Sequence, residues 1–110
     1  MEKYETVLSG DFDEIRTGIE EGILSANVSA SVEERSFFRS ADSRCDITVF
    51  ERYSAFGANR VSLAVTLFES GGKISVSAIT SGGSKAVFMK MNTVGEENFL
   101  ETFISILNNL

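Results

Sequence analysis

Between Arg60 and Thr80 the chain alternates apolar and small polar residues in two runs separated by a pair of glycines. Val61, Leu63, Val65 and Leu67 interleave with Ser62, Ala64 and Thr66; after Gly71-Gly72, Ile74, Val76 and Ala78 interleave with Ser75 and Ser77. A period of two sends successive side chains to opposite faces of a strand, so this stretch dictates two strands that share an aliphatic face and meet at a tight turn. Solvated sheet faces normally mix in Lys and Glu. Here the outward residues are small hydroxyl and methyl side chains, which predicts that something lies against them.

The rest of the chain supplies the layer that covers the aliphatic face. Lys3 to Ser9 alternates as a first strand and breaks at Ser9-Gly10. Asp11 with Glu14 three residues later has the form of a capping box, and Phe12, Ile15, Ile19 and Ile23 then recur at helical spacing. Gly18 and Gly22 weaken that helix but leave it a flat surface for close packing. A second strand is expected from Val28 towards Phe37 and Phe38. A third sets Cys45, Ile47, Val49 and Glu51 inward against Asp46, Thr48, Phe50 and Arg52 outward, and ends in the loop Ser54 to Ala58. Beyond the two glycine-separated strands, the turn Ser81 to Ser84 leads to a sixth strand, Ala86 to Met91. Thr93 and Glu96 repeat the capping pattern ahead of a closing helix, about Gly95 to Asn109, whose apolar face is Phe99, Leu100, Phe103, Ile104, Leu107 and Leu110. The expected fold is therefore α+β, strand, helix, four or five strands, helix. It has a mainly antiparallel sheet, helices packed on one face and a long C-terminal helix.

Length and composition bound the rest. A chain of 110 residues buries roughly 65% of the surface its unfolded form exposes, enough for one core, so one domain over 1–110 is expected. With 43% hydrophobic residues and nine Phe the composition is that of a globular protein. A net charge of −6 argues against a nucleic-acid partner, which would call for a basic face. Residues 35–60 nevertheless carry five Arg against Asp42, Asp46 and Glu51, while residues 1–34 hold two basic and nine acidic residues. Those Arg either form a local anion patch or pair with the acidic N-terminal third. Cys45 stands alone and cannot form an internal disulfide. No apolar run reaches the length of a membrane span, so a cytoplasmic protein with no membrane partner is expected.

Candidate chemistry is sparse. The absence of His removes the commonest general base, the usual nucleophile pairs and most zinc sites. The neighbouring acids Glu20-Glu21, Glu33-Glu34 and Glu96-Glu97 read as solvated charges rather than a general acid and base. Cys45, between Arg44 and Asp46, reads as a small core residue rather than a nucleophile. Thr80 to Lys85 has the glycines, hydroxyls and Lys of a phosphate cradle, but a strand is expected after it where a cradle needs a helix, and Glu69 to Lys73 repeats the same turn chemistry. In the loop Tyr53 to Asn59, Tyr53 and Phe56 beside Arg52 and Arg60 either form a contact surface or fold back into the core. No catalytic, cofactor-binding or metal-ligating residue emerges, and the chain reads as a binding protein rather than an enzyme.

The strings Glu51 to Ser54, Gly57 to Leu63, Ile79 to Ser84 and Asn92 to Glu97 resemble a family of small uncharacterised proteins, a domain of unknown function, from Gram-positive, Clostridia-like bacteria. The resemblance covers nearly the whole chain and brings no activity or site residue with it. The order of elements is similar to the helix-grip and TATA-binding-protein-like folds, in which a long C-terminal helix rests on an antiparallel sheet and, in helix-grip proteins, an apolar ligand often lies between the two.

Two sites are expected from this reading. The first is an interface for a second copy or a protein partner on the outward sheet face, built from Thr48, Phe50, Ser62, Ala64, Thr66, Phe68, Ser75 and Ser77. The alternative is a pocket for a small apolar ligand between sheet and closing helix, lined by Val65, Val76, Met89, Phe99 and Phe103.

Overall fold

The computed structural model describes residues 1–53, 59–82 and 89–110, with 89–94 described in backbone only. Along them run β1 (Glu2–Leu8), α1 (Phe12–Ala26), β2 (Ser31–Arg39), β3 (Ser43–Tyr53), β4 (Arg60–Ser70), β5 (Lys73–Gly82) and α2 (Met89–Asn108). The strands form one antiparallel sheet in the order β1-β5-β4-β3-β2, and both helices cover the same face. This is the expected α+β class.

Local chemistry explains the turns and ends. Gly71 and Gly72 both have positive φ, 60° and 78°. That is the left-handed pair a two-residue hairpin of the right twist requires, and it joins β4 to β5. At the start of α1 the Asp11 carboxylate accepts from the Glu14 N–H at 2.9 Å. β1 and β2 lie at opposite edges of the sheet, so α1 must carry the chain across it; its 15 residues reach about 22 Å, close to the width of five strands. Its apolar stripe, Phe12, Ile15, Ile19 and Ile23, is buried in one core with β4, β5 and the α2 residues Phe99, Leu100, Phe103 and Leu107. Gly18 and Gly22 face α2 closely: a Cβ at Gly22 would stand 2.7 Å from Ile106 Cγ2, and one at Gly18 2.5 Å from Leu110 Cδ2.

The structure departs from the sequence expectations at four places. Val28 and Ser29 form a turn ahead of β2, held by Asn27 Oδ1, which accepts from the Ser29 N–H at 2.8 Å and the Ser29 hydroxyl at 2.7 Å. Side-chain capture of this kind competes with the ladder. The expected sixth strand is not formed at Met89 to Met91, which opens α2; 83–88 lies outside the described residues. β5 is already flanked by β1 and β4, so a following strand has no edge of β5 to join. Thr93 consequently lies inside α2 and not at its start, and the buried Glu96 accepts from the Gly82 N–H and pairs with the Met1 amine at 2.7 Å.

The fourth departure matters most. β3 has the opposite phase to that expected: Asp46, Thr48 and Phe50 are buried beneath the helices, while Cys45, Ile47 and Val49 point to the other face. β3 carries apolar residues on both faces, so its own alternation does not fix its phase. Its pairing with β4 does, because Thr48 sits opposite Val65, Phe50 opposite Leu63 and Asp46 opposite Leu67, and paired residues share a face.

Candidate functional site: the open face of the sheet

The middle of the face away from the helices is crossed by three rows of side chains that the strand register fixes, with Glu51, Ser62 and Ser81 in a further row towards one end. One row runs Phe38, Cys45, Phe68, Ser75, Val7; the next Ser36, Ile47, Thr66, Ser77, Glu5; the third Glu34, Val49, Ala64, Ile79, Lys3. No described element covers them. Phe38 is 63% exposed, Val7 59% and Phe68 44%, while Ile47, Val49 and Ala64 are half-buried by their neighbours. Charge is confined to the margins, with Lys3 and Glu5 on β1, Glu34 on β2, and Glu51 with Arg60 at one end. Phe68 stands between two shallow hollows. One, of about 420 Å³, is bordered by Glu5, Val7, Thr66, Ser75 and Ser77, and the other, of about 160 Å³, by Phe38 and Cys45.

Of the expected interface residues, Ser62, Ala64, Thr66, Phe68, Ser75 and Ser77 come together on this face. Thr48 and Phe50 do not: at 4% and 1% exposed they belong to the helix-covered side. The residues that replace them are Cys45, Ile47 and Val49, with Ile79, Val7 and Phe38 completing the rows. Ile79 was legible, being in phase with Ser75 and Ser77; Phe38 was not, because register shifts between Val32 and Glu34 reset the alternation of β2.

On the covered side, Val65, Val76, Phe99 and Phe103 are at most 2% exposed and belong to one continuous core. Met89 belongs to α2, but its side chain lies outside the described residues. The described cleft that reaches Val65 amounts to about 10 Å³, the space of about one water.

The five arginines of 35–60 do not all converge on one point, although Arg39 and Arg44 are cross-strand partners beside one hollow that Asp42 and Glu69 also line. Arg35 pairs with Glu20; Arg44 Nε lies 2.7 Å from Glu69, and Arg44 Nη1 3.4 Å from Asp13; Arg60 pairs with Glu51 and Glu33. The Arg44 guanidinium is held above its usual pKa by the Glu69 carboxylate. Arg52 instead lies 4.3 Å over the Phe99 ring, and burial lowers its pKa. Cys45 is a free thiol, half-buried on the open face. Tyr53 is exposed at the end of β3, while Phe56 and the Gly83 to Lys85 part of the glycine loop lie outside the described residues. Among the described residues no three Cys, Asp or Glu side chains gather as a metal would require, and no helix is long and apolar enough to cross a membrane.

No curated protein sequence matches the chain. A model for a family of unknown function, DUF6054, matches residues 1–110, and the chain belongs to that family.

Proposed function

We propose that the protein works by binding rather than catalysis, and that it self-associates through the open face of its sheet. The observation that carries this reading is the continuity of apolar side chains across all five described strands, from Phe38 through Cys45, Phe68 and Ile47 to Ile79 and Val7, with charge only at the rim. Exposed apolar patches of that extent on small proteins mark association surfaces. The area is sufficient: the central strands have 10 or 11 residues, and five strands at ~4.8 Å by about 33 Å give up to about 800 Å², what each partner contributes to a standard specific interface. An isologous pairing needs only this one patch on each copy. The lone Cys45 suits a reducing compartment, which favours the cytoplasm. A carrier role for an apolar ligand finds little support, since the described core around Val65 is filled.

Native mass spectrometry or light scattering behind a sizing column tests the proposal. The natural chain is expected to be a dimer, and Ala64→Glu or Ile47→Glu, which add a charge to the open face without entering the core, are expected to be folded monomers. A monomeric natural chain, or an Ala64→Glu variant that stays dimeric, would remove this face from consideration.

A further inference from the structure

We infer that the two copies pair about a two-fold axis running along β4, so that β1 of each copy lies over β2 of the other. This rests on the self-association proposed above and adds its geometry. When two sheets meet face to face, the two-fold axis must lie in the plane of contact. Such an axis has two principal settings here, along the strands or across them.

An axis along β4, the central strand of the order β1-β5-β4-β3-β2, exchanges left and right and leaves the strand direction unchanged. Each row of side chains then meets its own row reversed. In the first row Phe38 meets Val7 of the second copy, Phe68 meets its own equivalent and Cys45 meets Ser75. In the third row Val49 meets Ile79 and Lys3 meets Glu34. Apolar side chains fall on apolar or small ones, and the only basic residue of these rows falls on an acid, twice in the dimer. The two Phe68 residues meet at the axis, and the hollow on either side of each leaves room for the offset arrangement that aromatic pairs prefer. The natural twist of each sheet gives the aligned crossing angle of about −30°.

An axis across the strands sets each strand on its own copy, reversed. Centred on the second row, it places Phe38 against Glu34, Val7 against Lys3 and Glu5 against Glu5. Centred between the second and third rows, it places Cys45 against Glu51. Either choice sets charge against apolar surface or like charges together, whereas in the first arrangement the second row sets Glu5 only against the hydroxyl residue Ser36, at the rim, a smaller cost.

The test is disulfide cross-linking of Ser75→Cys in the full chain with its natural Cys45, under mild oxidation. The two thiols sit on strands two apart in the same sheet, too far for a bond within one copy, whereas the inferred dimer brings Cys45 of one copy over position 75 of the other. Expected is a covalent dimer for Ser75→Cys, and none for the natural chain or for Ser75→Cys combined with Cys45→Ser. Independently, Lys3→Glu and Glu34→Lys are each expected to weaken dimerisation about tenfold, and the double reversal to restore it. A native dimer that fails to cross-link at position 75, or that cross-links through Cys45 alone, overturns the axis and leaves self-association standing. A native monomer overturns both.

Discussion

Asp46 and Thr48 show how two polar residues come to lie under a helix. The Thr48 hydroxyl donates to Asp46 Oδ2 at 2.9 Å and accepts from Arg35 Nε at 3.3 Å, and Arg35 in turn pairs with Glu20 of α1. The chain of contacts joins β3 to β2 and both to the helix above. It leaves Asp46 Oδ1 buried without a partner among the described residues, so Oδ2 depends on the one hydroxyl. Thr48→Val keeps the shape of the side chain and removes that hydroxyl, and is expected to cost about 2 kcal/mol of stability, the range for stranding a buried polar group. In the monomeric Ala64→Glu background, Thr66→Val, on the open face one strand away, is expected to change stability by no more than about 0.5 kcal/mol, and Thr48→Val is compared in the same background. Denaturant unfolding of the two variants reads the difference directly. Equal effects would mean that Thr48 and Thr66 share an environment and that β3 does not turn Asp46, Thr48 and Phe50 towards the helices.

At the level of the element, the contact between the helices depends on two glycines one turn apart on α1. Replacing either with Ala gains helix propensity of up to about 1 kcal/mol, and what the new methyl meets decides the sign. At position 22 it meets Ile106, whose Cγ2, Cγ1 and Cδ1 lie 2.7, 3.0 and 3.1 Å away. A β-branched side chain on a helix has little rotamer freedom to withdraw, and Ile106 lies in the last turn of α2, so Gly22→Ala is expected to destabilise by about 1 to 3 kcal/mol. At position 18 the methyl meets Leu110, a 56% exposed side chain beyond the end of α2 that can move aside, and Gly18→Ala is expected to be neutral or stabilising. Thermal melts of the two variants should move apart; a pair of equal shifts would show that the helices approach less closely at Gly22 than at van der Waals contact. Both glycines and the stripe Phe12, Ile15, Ile19, Ile23 were legible from spacing alone, because a helix that packs on one side writes its period into its own residues. β3 was not legible in the same way, since Ile47 and Val49 on one face balance Phe50 on the other.

For the molecule as a whole, association through the open face ties stability to concentration. A native dimer that unfolds to separate chains has a melting temperature that rises with protein concentration. The natural chain is expected to show this and Ala64→Glu is expected not to, in scans over a hundredfold range of concentration; a natural chain whose melting point stays constant would contradict the dimer. Residue pattern alone specified the α+β class, the stripe of α1, the buried Phe99, Leu100, Phe103 and Leu107 of α2 but not the exposed Leu110, the β4–β5 hairpin at Gly71-Gly72 and the aliphatic side of β4 and β5. Each is a local property, written in the period of one segment or in the φ that one turn demands. The inward face of β3, and with it the joining of Cys45, Ile47 and Val49 to Ala64, Phe68 and Ile79 on an open apolar surface, emerged only from the assembled sheet. A strand with apolar residues on both sides takes its phase from the neighbour it pairs with, and that pairing is a relation between distant segments that no single segment contains.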